Sequence, residues 1–363
     1  MKTVFLVSFL LTSALVQAQT IEPLPLSKAR SATPLPKTSL IAGNHLVSLT
    51  PFQFSIGPGI GTNPAYGKTI NDYSLNLSVA DDFKTRKAQL SLISGYVREN
   101  STGIQLSTLS SEAGNSFTGI QSSLIYNSTE GTLHGIQASA GLNDALIMNG
   151  WQLGAVNSAV IGDGGQTGLV NVSDSSIGFQ MGFINIASVA EKGQVGLVNM
   201  AETNDGVAIG LINYSKNGRN NLETIRTESG IQQFQYRTGS ERFQLVYHLG
   251  FNGALENKPV IVGAGVSFRK PFSWVDIGYE LSASKVSFKQ FWDSDLRFLV
   301  KNQLITEFKV TDWLRLSGGV TFNAYGDANR TGERVTSGTD YQDKVNNAWY
   351  RFGFGYVAGI SLF

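Results

Sequence analysis

The feature that most constrains this chain is a repeat of fixed period. Gly154, Gly168, Gly182, Gly196 and Gly210 stand fourteen residues apart, as do Asn157, Asn171, Asn185, Asn199 and Asn213. Gln152, Gln166, Gln180 and Gln194 keep the same step, with Ala208 in the fifth slot. Upstream, Gly-Ile-Gln recurs at Gly103, Gly119 and Gly135, sixteen residues apart. The unit reads Gly-x-Gln-x-Gly-x-x-Asn with mostly apolar x, and a fixed period means one structural unit reused. In the copy Ile177–Phe183, Ile177, Phe179, Met181 and Phe183 fall on one face of a strand. Gly178, Gln180 and Gly182 fall on the other. A helix would scatter them around its circumference. Fourteen residues hold a strand of about nine residues plus a turn, slightly short beside the roughly 9–11 of a transmembrane strand.

Alternation continues outside the repeat. Phe52, Phe54 and Ile56 share a face before it, as do Leu75, Leu77 and Val79. After Asn213 come Phe243, Leu245, Tyr247, Leu249 and Phe251, then Val260, Val262, Ala264, Val266 and Phe268, then Val275, Ile277, Tyr279 and Leu281. The last strand sets Tyr350, Phe352, Phe354, Tyr356, Ala358, Ile360 and Leu362 against Arg351, Gly353, Gly355, Gly359 and Ser361. That is an apolar-out, polar-or-small-in strand. The terminal Phe363 resembles the closing residue of outer-membrane barrels, although it lies on the face opposite the apolar set. Residues 326–347 read as a long surface loop.

Lys2, the apolar run Val4–Val16 and the small-residue site ending at Ala18 form a secretory signal over residues 1–18. A flexible leader rich in Pro, Ser, Thr and Lys follows over 19–46. Later apolar stretches are all interrupted by polar residues, so any membrane crossing must use strands, and only a closed barrel leaves no unpaired edge in lipid. Charged residues are 15% of the chain, below the usual quarter or so, as expected when one face of each strand meets lipid. There is no Cys, and the net charge of +1 comes without a basic cluster. Disulfides, thiolate chemistry and nucleic-acid binding are therefore not expected.

These residues support an all-β chain in one of two forms. The first is an outer-membrane-type antiparallel barrel of roughly 16–20 strands over 47–363, with the repeat block at 103–213 inside it. There the x residues face lipid, Gly and Gln face the lumen, and Asn sits near turns. The alternative is a β-solenoid repeat block joined to a smaller barrel, with x residues filling the coil core and Asn stacking as a ladder. Bulky Trp151, Phe179, Met181 and Phe183, together with the barrel-type flanks, favour the first. A ladder predicts that Asn185→Leu costs about 1–3 kcal/mol, whereas a solvated turn predicts little.

The block from Gly150–Asn157 through Gly206–Asn213 resembles the surface-repeat proteins of spirochaetes and Bacteroidetes, whose units read Gly-Leu-Gln-x-Gly-Leu-x-Asn. Thr62-Asn63 and Tyr73–Leu77 resemble the lead-in of the Bacteroidetes members. The resemblance implies an exported envelope protein and carries over no catalytic residue.

Chemistry-bearing motifs are sparse. His45, His134 and His248 lack metal spacing. A Ser–His site at His134 or His248, as in an envelope hydrolase, is the least favoured reading, since a triad is defined by geometry. Gly57-Pro58-Gly59-Ile60-Gly61 lacks the Lys and Ser/Thr of a phosphate loop and reads as a bend. Asp81-Asp82 reads as a solvated hairpin turn. Asp293, Asp295 and Asp312 flank turns and match no calcium loop. Trp274, Trp292, Trp313 and Trp349 lie near strand ends, where aromatic girdles belong. No catalytic, cofactor-binding or metal residue is assigned. The expectation is a non-enzymatic outer-membrane barrel with a structural or passive-pore role, its lumen lined by Gly, Gln, Ser and Asn without strong charge. Its expected partners are the lipid bilayer and the barrel-assembly machinery. The alternative is a surface-exposed repeat protein for binding or adhesion.

Overall fold

The computed structural model describes the chain from Thr38 onward, except residues 43–44, 58, 63–68, 254–257, 289–290, 292–293, 329–334, 337–338, 343–347 and 363. The signal over 1–18 and most of the leader over 19–46 lie outside the described residues. The described chain is all-β, with strands and no helix. It forms a stack of parallel coils ending at Ser215, followed by a closed antiparallel barrel of eight strands.

Parallel pairing decides between the two expected forms. The strand Val170–Met181 pairs with Val156–Thr167 on one side and Ile184–Val195 on the other, so Asn157, Asn171 and Asn185 lie side by side. The sixteen-residue copies do the same, with Gly103, Gly119 and Gly135 in register. Equal slots meet equal slots, as in a solenoid. Antiparallel hairpins would instead cross slots, so the single barrel of 16–20 strands does not form, and the solenoid joined to a smaller barrel does. The coils also reach back beyond the repeat block, because Ser48–Ser55 pairs in parallel with Thr69–Asn76, which pairs with residues 84–91.

The coil interior departs from expectation. Gln166, Gln180, Asn171 and Asn185 are 0% exposed, while Phe183 is 57% and Leu197 54% exposed. The x residues therefore point outward near the tight corner of each coil, and the amides fill the core. Gly182 makes that corner possible: a Cβ there would run into the Gly168 carbonyl and stand 2.6 Å from Asn171 Nδ2. At the opposite end of the coil the arrangement reverses. Phe117, Leu133, Met148, Ile177 and Ala190 are buried, while Glu130, Asp163, Asp174, Glu191 and Asp205 are exposed. The switch occurs at a bulge. Ile177 and Gly178 are both buried, and the register slips before Phe179, so Ile177 faces inward, unlike Phe179 and Met181. Gly119, at the matching place in an earlier coil, has φ of 136°, a conformation that suits glycine.

The barrel comprises Arg219–Thr227, Gln232–Gly239, Phe243–Phe251, Pro259–Pro271, Val275–Phe288, Arg297–Lys309, Leu314–Asp327 and Trp349–Leu362. Neighbours are antiparallel, and the first strand pairs with the last, as at Thr224 and Ile360. The apolar sets read from the sequence face outward here: Phe268, Ile277, Tyr279, Phe354 and Tyr356 are all exposed. Connections at one end are short (240–242, 272–274 and 310–313); at the other, 228–231 is also short, and 252–258, 289–296 and 328–348 are longer. Trp274 and Trp313 stand at the short-turn end, and Trp349 at the long-loop end.

Candidate functional site

Two amide ladders run through the coils. Each Gln Nε2 donates to the Oε1 of the preceding coil, from Gln105 onto Gln89 (2.8 Å) through Gln194 onto Gln180 (2.8 Å). From Asn127 to Asn199, each Asn Nδ2 donates the other way, onto the Oδ1 of the following coil, at 2.6–2.9 Å. Second hydrogens reach main-chain carbonyls, such as Gln180 onto Ile186 (3.1 Å) and Asn185 onto Val195 (2.9 Å). Both amide hydrogens are thus used, which is what makes a polar core affordable.

The ladder ends are informative. Gln89 Nε2 donates to Asp82 Oδ2 (2.7 Å), and Gln53 Nε2 to Asp82 Oδ1 (2.9 Å). An acceptor-only carboxylate closes a file of donors. Asp82 is therefore not in a solvated turn: it is 2% exposed, whereas Asp81 faces out and pairs with Arg98. Burial pushes the Asp82 carboxyl up, against the donors Ser74, Gln89, Thr85 and Gln53. At the other end Ala208 leaves Gln194 Oε1 buried without a partner.

The barrel lumen is charged, contrary to the lining of Gly, Gln, Ser and Asn expected from the sequence. At mid-height Arg237 pairs with Glu223 and Glu280 (2.7 Å to the latter). Ser317 donates to Glu223, and Gln303 to Glu280. Near the short turns Arg219, Arg269 and Arg315 surround Asp276 and Glu307. Toward the long loops an apolar layer follows, in which Val335 packs with Ile231, Ile261, Val286, Phe288 and Leu299, and buried Arg297 pairs with Asp327 at that rim. Part of the segment read as a surface loop therefore folds into the barrel mouth. Arg351 Nη1 also holds Thr336 O at 3.0 Å, and Thr339–Gln342 pairs with the last strand. The charges were visible at inward positions, since Arg237 alternates with the outward Phe234 and Tyr236. Their mutual pairing was not.

Of the histidines, His248 lies in the lumen with Nε2 2.7 Å from Ser284 Oγ, and its Nδ1 meets no partner. A Ser–His contact is present without the third group that would orient it. His134 is exposed on the coil surface, and the His45 side chain lies outside the described residues. Gly57 and Ile60–Gly61 form a small antiparallel bend. Asp312 is exposed at a turn, Asp295 contacts Arg297, and Trp292 and Asp293 lie outside the described residues. Among the described residues no three His, Asp or Glu converge to hold a metal.

The last coil docks on the outer wall of the barrel. Asn213 N donates to Thr238 Oγ1 (2.8 Å), Thr238 Oγ1 donates to Asn213 O (3.0 Å), and Tyr247 OH donates to Gly210 O (3.2 Å). Tyr247 stacks on Tyr236 with ring centroids 6.5 Å apart. The barrel thereby covers an edge that would otherwise present unpaired backbone groups. Compared with family models, with curated proteins and with solved structures, the chain matches none.

Proposed function

We propose that this chain is a non-enzymatic outer-membrane protein whose eight-stranded barrel anchors the coil stack at the bilayer, a structural role. The observation that carries this reading is a closed barrel that is apolar outside and ion-paired inside. Closure removes every edge, the requirement for strands in lipid. Its longer strands have 13–14 residues and, once tilted, cover about 30 Å. Trp274 and Trp313 at one rim and Trp349 at the other support the same placement.

Eight strands leave an interior just wide enough for side chains. The Arg237 cluster and the Val335 plug occupy it, which supports the structural form of the expectation over the passive pore. The in-register coils fit the resemblance to surface-repeat envelope proteins. Fractionation, with gel mobility before and after boiling, tests the reading. Outer-membrane recovery with a heat-dependent shift is expected, together with no steady conductance in planar bilayers. Recovery in the soluble periplasm without a shift would sink it. Loss of a lipid-hydrolysing activity on replacing His248 would overturn the non-enzymatic part.

A further inference from the structure

We infer that the coil stack is itself half immersed in lipid: its tight-corner edge lies in the hydrocarbon of the leaflet nearest the short turns, and its charged edge lies in the water outside. This rests on the reading of the barrel as a membrane span.

Four observations carry it. The first is segregation of charge. Stretches 164–173, 175–190, 193–201 and 206–215 contain no Asp, Glu, Lys or Arg, and each includes a tight corner. Asp163, Asp174, Glu191, Lys192, Glu202, Asp205 and Lys216 between them all fall at the opposite edge. The second is the outward face of the corners. Leu109, Ile125, Leu169, Phe183, Leu197 and Leu211 are 41–60% exposed in one column, with Gly141 and Ala155 in the two coils between Ile125 and Leu169. A continuous apolar surface of this kind marks contact with an apolar partner.

The third is the state of the backbone. Corner amides are bonded between coils: Gly182 N donates to Val195 O, Leu197 N to Phe183 O, and Leu169 N to Ala155 O. The Asn ladder serves corner carbonyls as well, as Asn171 does at Met181 O. Polar groups satisfied internally are the condition for placing strands in hydrocarbon. The amide-filled interior follows: with lipid outside, the polar atoms belong in the core, where they satisfy one another.

The fourth is continuity with the barrel. Tyr247 is the third of five outward residues on its strand, between Phe243 near the short turns and Phe251 near the long loops. Its hydroxyl holds the corner carbonyl of Gly210. Corners thus reach the middle of the apolar belt of the barrel, and Asp205 and Lys216 lie toward its short-turn rim. From Phe179 to Phe183 the coil spans about 13 Å, close to half of a hydrocarbon core of about 30 Å. Over residues 164–215 the edge has matching depth, joins the belt, is free of charge and fits acyl chains of one leaflet. In the earlier coils Glu112 and Asp144 take the outward slot of Ile186 and Met200, and the immersed edge is shallower there.

The absence of native Cys allows a direct test. Single variants Phe183→Cys, Leu197→Cys, Glu191→Cys and Phe354→Cys in the full chain are labelled with an environment-sensitive dye. Each is reconstituted in phosphatidylcholine vesicles containing lipids spin-labelled in mid-chain. Quenching with blue-shifted emission is expected at positions 183, 197 and 354, and quenching by aqueous iodide at 191. Quenching at 354 with iodide access at 183 and 197 would overturn the immersed coil while leaving the barrel span intact. Disulfide cross-linking between chains by the unlabelled Phe183→Cys or Leu197→Cys variants under mild oxidation would overturn it in favour of a second copy. Iodide access at 354 as well would remove the barrel reading and this inference together.

Discussion

Thr238 on the barrel wall satisfies both backbone groups of Asn213, accepting from its amide at 2.8 Å and donating to its carbonyl at 3.0 Å. One hydroxyl thus ends a file of coils and ties it to the barrel. Thr238→Val keeps the shape and removes both bonds, leaving buried groups unpaired at about 1–3 kcal/mol. Amide exchange in the segment around Asn213 is expected to accelerate, with the heat-dependent mobility of the barrel unchanged. Unaltered exchange would show that the coil end is held by other contacts.

Asn185→Leu severs three hydrogen bonds: Asn171 onto Asn185, Asn185 onto Asn199, and Asn185 onto Val195. A cost of about 3 kcal/mol is expected from the orphaned amides. Among the described residues Trp151 is the one tryptophan in the coils, so its fluorescence in urea reports their unfolding. A midpoint equal to that of the parent chain would refute the ladder as a source of stability.

Asp82 makes the coils sensitive to acid in an unusual sense. Burial raises its carboxyl from the ordinary 3.8. Between that value and the raised one, the folded chain binds more protons than the unfolded chain, so its contribution to stability falls as pH rises. Asp144, also raised by burial, acts in the same direction. The Trp151 unfolding midpoint is expected to decline on going upward from about pH 4, and Asp82→Asn should flatten that slope. A slope unchanged in the variant would assign the effect elsewhere.

In the lumen, Arg237→Met leaves Glu223 and Glu280 buried without their cation. Breaking one partner of such a set costs about 3–5 kcal/mol, whereas replacing the whole set is often neutral. Arg237→Met is therefore expected to lower the temperature at which the gel mobility shifts. Adding Glu223→Gln and Glu280→Gln should restore much of the loss. Equal damage in the triple variant would mean that the charges have a role beyond neutralising one another.

The sequence showed the strands, the period and the outward faces of the barrel, because alternation and spacing are local properties. Pairing direction was not legible, since a fourteen-residue unit serves a hairpin or a coil equally well. The favoured single barrel rested on Trp151 and Phe183 being too large for a thin core, an argument that assumed apolar residues turn inward. They turn outward, and Gln and Asn take the interior. Ile177 was placed with Phe179 because strict alternation says so; a bulge at Gly178 breaks it. Asp82 looked solvated because its acceptors' work depends on Gln53 and Gln89, 29 and 7 residues away. The ion pairs of Arg219 with Asp276 and Glu307 span 57 and 88 residues, and only barrel closure brings them together.

The constant register of the coils has a consequence for how such a chain can change over generations. Each coil offers its successor the same amides, the same corner and the same facing residues. Excising one whole unit, such as residues 171–184, would shorten the stack by about 4.8 Å, with Asp82 still closing one end and Thr238 the other. An excision that is not a whole number of units would take Gln and Asn out of register with their partners in the neighbouring coils. The length of the stack is therefore a counted quantity, adjustable by duplication or loss of whole units without any redesign of the barrel that carries them.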